Sequence, residues 1–456
     1  MMTTREAPTP GPRVAVILAA GQGTRLYPTT NRPKPLTRVL GLTLAERVMC
    51  TLREASGVRR FIVTVGSEAR VVKAHFTDIA RRRGYSVAFV EAPDWQLGNG
   101  ASALAAREHT GDGAFFLVMS DHLFDPAIAE ALLRDPPGPG EMCLAVDRDK
   151  SAIFDLEDVT RVRADGGRIT AIDKGLEPWD AGDTGVMLCT SGLFDGLERA
   201  AEKGGHGLSD GLRELAGDAR ARIVDVTQRP WLDVDTPEAL REAERRLMRD
   251  AGGKSTDGPV SRYLNRPMSR WLTRYLVETP ATPNQISVLS WMLSCIAAAL
   301  FVVGGYPALA AGGALAQLAS IVDGCDGEVA RLKRIQSEFG GWFDAILDRY
   351  ADAFLLFGLT WHALAASGGG QLALVSGFAA ILGSFMNSYT ADKYDGLMAR
   401  TLRGASYFRL GRDVRVFVIF LGALVNQPLL TLMVIALVTN AEVARRIILC
   451  RRVQTV

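Results

Sequence analysis

The chain has 456 residues, more than one ordinary domain uses, which excludes a single small binding module and favours two or three folding units. Its 52 Lys and Arg residues nearly balance its 50 Asp and Glu residues, so the overall charge gives no electrostatic support for a nucleic-acid partner. The 6 cysteines form no C-x-x-C pair, which argues against a zinc site or a disulfide framework and fits a reducing cytoplasm.

The first half of the chain has the pattern of an α/β domain. Residues 13–250 alternate helical patterns with short apolar runs such as RVAVILAA, RRFIVTVG and AFFLVMSD. This alternation predicts a doubly wound domain, in which helices cover a mostly parallel sheet. The segment RDAGGKSTDGP at 249–259 has the Gly, Pro, Ser and charged residues of a linker. We therefore expect the first domain to occupy residues 1–250.

The second half has the pattern of an all-α membrane domain. Residues 251–282 form a linker that ends in a basic amphipathic stretch suited to the membrane surface. From residue 286 the apolar sequence ISVLSWMLSCIAAALFVVGG is long enough to cross a bilayer core, which needs about 20 residues. We predict about six transmembrane helices within residues 283–456. The other apolar stretches lie at 307–322, 345–366, 371–389, 414–426 and 428–448.

The arginine content of two segments predicts the orientation of this domain in the cell membrane. The loop at 391–415 and the tail RRIILCRR are rich in arginine, which places them in the cytoplasm by the positive-inside rule. With an even number of spans, the N-terminal domain and the C-terminus are expected in the cytoplasm as well.

A glycine-rich loop follows the first predicted strand. It reads GQGTRL at residues 21–26, and Lys34 follows between two prolines. Glycines let the backbone approach an anion, but the pattern lacks the third glycine of G-x-G-x-x-G and the G-K-[ST] of a P-loop. The string LAAGQGTRL followed by PKPL resembles the loop of the sugar-phosphate nucleotidyltransferase family. The resemblance implies that Arg25 and Lys34 clamp the triphosphate and the incoming phosphate. The nucleotide-binding residues that it implies in the loop are Gly21, Gly23 and Thr24.

Three aspartates lie where this family places its carboxylates. Asp121 ends the predicted strand FLVMSD, at the edge where open α/β sheets bind ligands. Asp233 and Asp235 are two residues apart in WLDVD, which puts both on one face of an extended segment. Three carboxylates can hold Mg²⁺. Asp235 can also cap the following helix, and both interpretations stay open, while His122 is expected beside the site and not as a ligand.

The same resemblance implies further substrate contacts. Lys174 in ITAIDKGL is similar to a position that contacts the acceptor phosphate, with a solvent-exposed strand lysine as the alternative. The chemistry implied is attack by a phosphate monoester on the α-phosphorus of a nucleoside triphosphate, with loss of pyrophosphate. No general base is required, because the second pKa of the phosphate, about 6, leaves it largely dianionic. In WQLGNGAS, a base and sugar recognition loop would use Gln96, Gly98, Asn99 and Ser102.

Four aspartates in the membrane half have helical spacing. The sequence DGCDGEVAR at 323–331 is followed, after eight residues, by GGWFDAILD at 340–348. Within each segment the spacing puts both aspartates on one helix face, so four carboxylates can converge between two spans. Carboxylates at membrane depth are unfavourable unless they serve a function, although the edge of a solvated loop is the alternative. Every position of this motif resembles that of the CDP-alcohol phosphotransferase family.

This second resemblance implies roles for the four aspartates. Asp323, Asp326 and Asp344 would bind divalent metal as two ions, either Mg²⁺ or Mn²⁺. Asp348 would border the same metals and act as the base. A base is needed here because an alcohol is protonated at neutral pH, and a carboxylate near the metals can take its proton.

The substrate contacts implied in this half lie on both sides of the motif. Gly327 and Arg331 belong to the motif itself. Lys393, Arg403 and Arg412 lie in the basic loop and fit an acceptor phosphate, although arginines in a cytoplasmic loop need no reason beyond topology. The alcohol-bearing phosphorus of the CDP donor would be attacked, and CMP would leave.

The two resemblances together imply a coupled reaction on CTP, in which the first product is the second substrate. The junction further resembles a family of bifunctional enzymes that make CDP-inositol from CTP and inositol-1-phosphate and transfer the phosphoinositol to a second inositol-1-phosphate. Transfer to a lipid alcohol, which is phospholipid synthesis, is the alternative, and a membrane carrier or scaffold is a more distant one. The partners expected are the bilayer and these substrates, without nucleic acid. A homodimer through the membrane domain stays open.

Overall fold

The structure is a computed structural model that describes residues 12, 14–253, 258–367, 370–398 and 411–453. Contacts between Cα atoms divide the chain into two compact units, Met1–Arg246 and Leu247–Val456. The first unit is built from strands and helices, and the described part of the second unit is helical.

The strands all lie in the first unit, as far as the chain is described. In chain order they are β1 (Val14–Ala19), β2 (Arg38–Val39), β3 (Leu42–Thr43), β4 (Arg60–Val65), β5 (Ser86–Glu91), β6 (Phe115–Met119), β7 (His122–Phe124), β8 (Met142–Asp147), β9 (Arg161–Asp165), β10 (Arg168–Asp173), β11 (Ala181–Cys189), β12 (Ala221–Asp225) and β13 (Trp231–Asp233).

The helices begin with short elements around the sheet and end with long ones. They are α1 (Tyr27–Thr30), α2 (Leu44–Ser56), α3 (Ala69–Arg83), α4 (Asn99–Leu104), α5 (Arg107–Thr110), α6 (Pro126–Arg134), α7 (Gly192–Glu202), α8 (Leu208–Gly217), α9 (Pro237–Ala251), α10 (Arg266–Leu276), α11 (Pro283–Val303), α12 (Tyr306–Leu332), α13 (Glu338–Ser367), α14 (Gly370–Met398), α15 (Arg412–Leu424) and α16 (Pro428–Val453). A 3₁₀ turn covers Lys34–Leu36 and a π-helical turn covers Ser261–Asn265.

The order of the main sheet brings the first predicted site together. Its nine strands, counted in the described residues, run β5-β4-β1-β6-β11-β8-β12-β10-β9. The first four are parallel, and β1 lies between β4 and β6. At such a switch point the loops at the carboxyl ends of neighbouring strands leave a crevice for ligands. The glycine-rich loop after β1 and Asp121 after β6 therefore reach the same edge of the sheet.

Alternate residues of β1 face two separate cores. Val16 packs in a cluster that contains Phe194 of α7. Ile17 points to the other face and joins a cluster with Met49 of α2 and Phe76 of α3. Helices therefore cover both faces of the sheet, which is why β1 is an unbroken apolar run.

The sheet is mixed, so the predicted doubly wound topology is not confirmed. β11 runs antiparallel to both β6 and β8, and β10 runs antiparallel to β12 and β9. β9 and β10 form a hairpin whose connecting glycines, Gly166 and Gly167, have φ angles of 55° and 80°. Positive φ at both central positions is typical of a type I′ turn. The sequence Asp-Gly-Gly-Arg at 165–168 is typical of such a hairpin, which interrupts the alternation of strands and helices predicted for this domain.

In the second unit the long helices pack around an apolar core. α11 packs against α12 and α13, α14 packs against α16, and α12 packs against α15. Phe301 of α11, Leu355 of α13 and Leu432 of α16 are fully buried in this core. A Cβ atom on Gly358 of α13 would lie 2.6 Å from the carbonyl oxygen of Ala298 on α11. Glycine is therefore required for these two helices to approach so closely.

Three helices in the described part of the chain are long and apolar enough to cross a membrane. They cover Pro283–Val303, Tyr306–Leu332 and Gly370–Ala391. The prediction of six spans is not confirmed. α13 carries three aspartates in its first half, and α15 has 13 residues, fewer than the roughly 20 that a bilayer core needs.

The predicted amphipathic segment contains α10, which turns its polar side toward α12. The carboxylate of Glu328 on α12 is buried and accepts hydrogen bonds from Arg266 at 3.1 Å, Ser269 at 2.7 Å and Thr273 at 2.7 Å. The opposite side of α10 exposes Trp271, which is 64% accessible. The helix is thus attached through polar groups and presents an aromatic surface outward.

The first unit contains a buried carboxylate whose loss we expect to destabilise the fold. Glu46 of α2 accepts two hydrogen bonds from Arg82 at 3.0 Å and one from Arg83 at 2.8 Å. Burial alone would raise the pKa of Glu46, but the two arginines outweigh it and hold that pKa below its usual value. Because the folded pKa is depressed, the stabilisation is present above the unfolded pKa and is lost as the pH falls through the folded value.

Glu46→Ala should therefore lower the free energy of unfolding of this unit by about 3 kcal/mol at neutral pH, near the lower end for a broken buried pair. The difference in melting temperature from the wild type, followed by circular dichroism, should narrow as the pH approaches 4. Glu91→Ala is the matched control, because Glu91 pairs with Lys73 on the surface and should change the melting temperature little. Equal effects of both variants would contradict the expectation.

Candidate active sites

The glycine-rich loop leaves β1 at the carboxyl edge of the sheet and packs against the turn that carries Lys34. Gly23 has φ +64°, and a Cβ atom there would lie 2.7 Å from the Cβ of Lys34. Any side chain at this position would be strained and would push the lysine away. The loop therefore fixes the base of the Lys34 side chain.

Lys34 reaches into a group of three aspartates. Its Nζ lies 2.5 Å from Asp121 Oδ2 and 3.4 Å from Asp233 Oδ1, and it also forms an ion pair with Asp235. Asp233 arrives through the antiparallel pairing of β13 with β7, which places it opposite His122. The residues predicted from separate sequence blocks thus meet around one ammonium group.

His122 lies beside this group and is hydrogen-bonded to it. Its Nδ1 is 2.9 Å from Asp121 Oδ1 and 3.9 Å from Asp233 Oδ1. Burial would lower the pKa of His122, but the two carboxylates outweigh burial and raise it to about 9. Asp121 is affected in the opposite direction: burial opposes its charge, but Lys34 and His122 hold its pKa far below the usual range. His122 therefore adds a second cation to the aspartates at neutral pH.

A further carboxylate joins two of the predicted cations. Asp158 forms ion pairs with two cations: its Oδ2 lies 2.9 Å from Arg25 NH2, and its Oδ1 lies 2.5 Å from Lys174 Nζ. Arg25 also pairs with Asp235. Sequence reasoning missed Asp158, because it lies in the segment FDLEDV among other acidic residues and has no motif around it.

These side chains line a cavity of about 640 Å³. The predicted residues that line it are Gly21, Gly23, Thr24, Arg25, Lys34, Gly98, Asn99, Ser102, Asp121, Lys174, Asp233 and Asp235. Gln96 is exposed and does not line this cavity. Asp183 of β11 also lines it and was missed by sequence reasoning; burial raises its pKa to about 6, although the Gly185 N–H bonds its carboxylate at 2.7 Å.

The donor atoms of this site suit a divalent ion. Carboxylate oxygens of Asp121 and Asp233 lie within 4.8 Å of each other, as do those of Asp158, Asp233 and Asp235. The protonated His122 has no free lone pair on its ring nitrogens and is not counted among the ligands. Mg²⁺ prefers carboxylate oxygens of this kind and is usually held by one or two of them together with substrate phosphates.

The second unit brings the four predicted aspartates together between two helices. Asp323 and Asp326 lie on α12, and Asp344 and Asp348 lie on α13. Carboxylate oxygens of Asp323, Asp344 and Asp348 lie within 4.8 Å of one another. Asp326 lies three residues after Asp323, on the same face of α12. This set of oxygen donors also suits divalent metal.

Two serines of α11 hold the aspartates of α12. Ser287 Oγ lies 2.5 Å from Asp326 Oδ2, and Ser290 Oγ donates to Asp323 Oδ1 at 3.1 Å. Sequence reasoning missed both serines. Their spacing of three residues, which puts them on one helix face, is the signal that could have identified them.

Arg412 lies among these aspartates. Its NH1 atom is 2.9 Å from Asp323 Oδ2 and 2.7 Å from Asp348 Oδ1. The sequence predicted Arg412 as part of a basic loop for an acceptor phosphate, and the structure places it at the first residue of α15, directly against the carboxylates.

The other predicted substrate contacts of this half divide into two groups. A Cβ atom on Gly327 would lie 3.0 Å from the guanidinium of Arg331, whose Nε donates to the carbonyl of Ala251 at 2.6 Å. The side chain of Lys393 and all of Arg403 lie outside the described residues.

Comparison with known proteins assigns both units to families. Residues 15–229 match the MobA-like NTP transferase domain, and residues 280–382 match the CDP-alcohol phosphatidyltransferase family. The chain is also 40% identical over 441 residues to the bifunctional IPC transferase and DIPP synthase of Rubrobacter xylanophilus, with 96% of each chain covered. The chain belongs to this bifunctional family. The family resemblances drawn from the sequence are therefore confirmed.

The bifunctional family includes a second similar protein of the same description. That protein, from Aquifex aeolicus, is 33% identical over 435 residues, which cover 94% of this chain and 96% of its own. Among solved structures, the inositol-1-phosphate CTP transferase from T. maritima has a TM-score of 0.47 and 24% identity, and it covers 51% of this chain and 95% of its own.

The position of Lys34 leads to a prediction about metal affinity. Lys34→Met removes a positive charge that contacts three carboxylates, so Mn²⁺ should bind the first site about tenfold more tightly or better. Electron paramagnetic resonance titration measures this, in an Asp323→Asn, Asp344→Asn background that weakens the second cluster. Lys73→Met, which removes a surface lysine paired with Glu91, is the control and should leave the affinity unchanged. Weaker Mn²⁺ binding in Lys34→Met would contradict the prediction.

Proposed function

We propose that the chain makes CDP-inositol from CTP and inositol-1-phosphate and transfers the phosphoinositol to a second inositol-1-phosphate with release of CMP. The observation that carries this proposal is the near full-length similarity to bifunctional IPC transferases and DIPP synthases, 40% over 96% of both chains in one case. Two separate carboxylate clusters, one in each unit, support the division into two reactions.

In the first reaction the phosphate of inositol-1-phosphate attacks the α-phosphorus of CTP, and pyrophosphate leaves. Lys34 and Arg25, at opposite ends of the Asp235 carboxylate, are the cations that hold the phosphates. The attacking phosphate needs no base, so fixed charge and orientation supply the catalysis. Lys174 then takes the acceptor phosphate, and Asp158 keeps its ammonium at the cavity.

In the second reaction a hydroxyl of the acceptor attacks the phosphorus that carries inositol. Asp348 takes the proton of that hydroxyl, because a neutral alcohol is a poor nucleophile. The new P–O bond forms as the bond to CMP breaks. Arg412, which contacts Asp348 at 2.7 Å, is the cation of this site that receives the phosphate of the acceptor.

Each carboxylate cluster is a candidate binding site for divalent metal. Asp121, Asp233 and Asp235 would hold it in the first unit, and Asp323, Asp326 and Asp344, bordered by Asp348, would hold it in the second. When bound, Mg²⁺ or Mn²⁺ would neutralise phosphate charge and polarise the phosphorus that is attacked.

The topology is proposed with the function. We place the chain in the cell membrane as a multi-pass protein with about six spans, with the N-terminal domain and the C-terminus in the cytoplasm. Three long apolar helices and the arginine content of residues 391–415 support this topology. The domain limits 1–250, 251–282 and 283–456 and a homodimer through the membrane domain stay predictions.

The substrates are tested with purified enzyme, CTP and inositol-1-phosphate, analysed by mass spectrometry. The expected products are pyrophosphate, CDP-inositol, CMP and a water-soluble phosphodiester of two inositols that carries one further phosphate. If CTP and inositol-1-phosphate give no such phosphodiester but label an extractable lipid, the acceptor is a lipid alcohol and the proposal fails.

The two reactions should separate by mutation, because the clusters lie in different units. Asp121→Asn should reduce CDP-inositol formation at least about a hundredfold and leave transfer from supplied CDP-inositol unchanged. Asp348→Asn should leave CDP-inositol formation unchanged and abolish the transfer reaction, so that CDP-inositol accumulates when the variant is given CTP and inositol-1-phosphate. Chromatography of the nucleotide products measures both. Loss of both reactions in either folded variant would contradict independent sites.

A further inference from the structure

A fifth aspartate continues the series on α13. Asp352 lies four residues after Asp348, so it occupies the same helix face one turn further on. Its side chain is 4% exposed. Asp352 lies outside the aspartate motif at 323–348, which identified the other four aspartates. That motif therefore assigns Asp352 no role in binding substrate or metal.

Asp352 forms an ion pair with Arg412 through the Nε atom, on the side of the guanidinium away from the aspartate cluster. Its Oδ1 atom lies 3.2 Å from Arg412 Nε, while Arg412 NH1 lies 2.9 Å from Asp323 and 2.7 Å from Asp348. A guanidinium is planar and rigid, so holding Nε fixes the direction of the other nitrogens. The arginine is therefore held at one edge by Asp352 and presented at the other edge to the aspartate cluster.

Asp352 is itself held in place by two other helices. Its Oδ2 atom accepts a hydrogen bond from Arg415 of α15 at 2.6 Å and one from Ser384 of α14 at 2.9 Å. Arg415 is buried and also lies 3.3 Å from Ser388. With three donors on two oxygens, the carboxylate has one orientation, and a buried acceptor with this many partners is well suited to orient another group.

We propose that Asp352 is a positioning residue of the phosphotransfer site, which holds Arg412 so that its guanidinium meets the phosphate of the acceptor. The described contacts engage Nε and NH1, and NH2 is the donor that we assign to a phosphate oxygen. The inference rests on the proposed function, because it requires a phosphorylated acceptor. A buried ion pair that served stability alone would show no selective effect on that substrate.

The test uses the full chain and the second reaction alone, with supplied CDP-inositol and varied inositol-1-phosphate. Asp352→Asn should raise the KM for inositol-1-phosphate about tenfold or more, the loss expected for a displaced charge-assisted hydrogen bond, while kcat changes by less than about threefold. CDP-inositol formation from CTP should not change. Glu442→Gln is the matched control: Glu442 on α16 binds Arg446 at 2.9 Å, and its loss should leave both constants as in the wild type.

A double-mutant cycle shows whether Asp352 acts through Arg412. Arg412→Lys keeps the charge but lacks Nε, so it should raise the same KM, and Asp352→Asn should add nothing to it. Should Asp352→Asn not fold, Ser384→Ala removes only a hydroxyl that binds Asp352 and should raise the KM about twofold to threefold in the wild type and not in Arg412→Lys.

The positioning role would be overturned if the increases in KM caused by Asp352→Asn and Arg412→Lys multiplied in the double variant. A fall in kcat with an unchanged KM in Asp352→Asn would overturn it too. The proposed function would stand in both cases. If the wild type makes no phosphodiester from inositol-1-phosphate, the proposed function fails first. In that case calorimetric titration of the same variants with inorganic phosphate decides the inference, with weaker binding in Asp352→Asn expected and equal binding overturning it.

Discussion

Repulsion between carboxylates brought within a few ångströms of one another governs both halves of this protein. Each pair of like charges at such distances opposes folding by about 1 to 4 kcal/mol near a protein surface, unless a cation lies between them. In the first unit Lys34 and the protonated His122 balance the aspartates. In the second unit Arg412 does so, with Arg415 behind it. The same arrangement gives each site the charges that phosphate chemistry needs, because a group that balances aspartates also attracts phosphate oxygens.

The two units reach this arrangement with unrelated scaffolds. In the sheet, parallel strands deliver loops to one edge, and a short antiparallel pair, β7 with β13, carries a distant carboxylate to the same place. In the helical unit, spacings of three and four residues line up carboxylates on facing helices, and serines of a third helix hold them. The first unit builds its site at the ends of strands and in the loops that follow them, and the helical unit builds its aspartate cluster within two helices. Side chains that stem from helices are generally held more precisely than side chains that stem from loops.

Local patterns in the sequence predicted the alternation of strands and helices in the first unit and the aspartates that the structure brings together in each cluster. The apolar run of β1, the glycine-rich loop and the spacing of the four aspartates are all visible in short windows. What the sequence could not provide was the pairing of distant segments. Asp158 meets Arg25 only because of the tertiary fold, and the antiparallel position of β11 depends on which strands pair, not on the strand itself. Six spans were predicted from apolar content, but α13 combines that content with aspartates, and three helices meet the criteria of length and polarity in the described residues.

The hydrogen bonds of Glu328 determine where the helical unit begins as a folding unit. Its three donors come from α10, which lies before the first apolar helix. A protein divided at Pro283 would retain every residue of the phosphotransferase motif, but Glu328 would lose all three of these donors and the apolar residues of α12 would lose the cover of Leu272 and Leu276. The N-terminal limit of an independently stable membrane half therefore lies upstream of Arg266. Natural fusions and separations of the two halves would be expected to keep the amphipathic helix with the membrane domain.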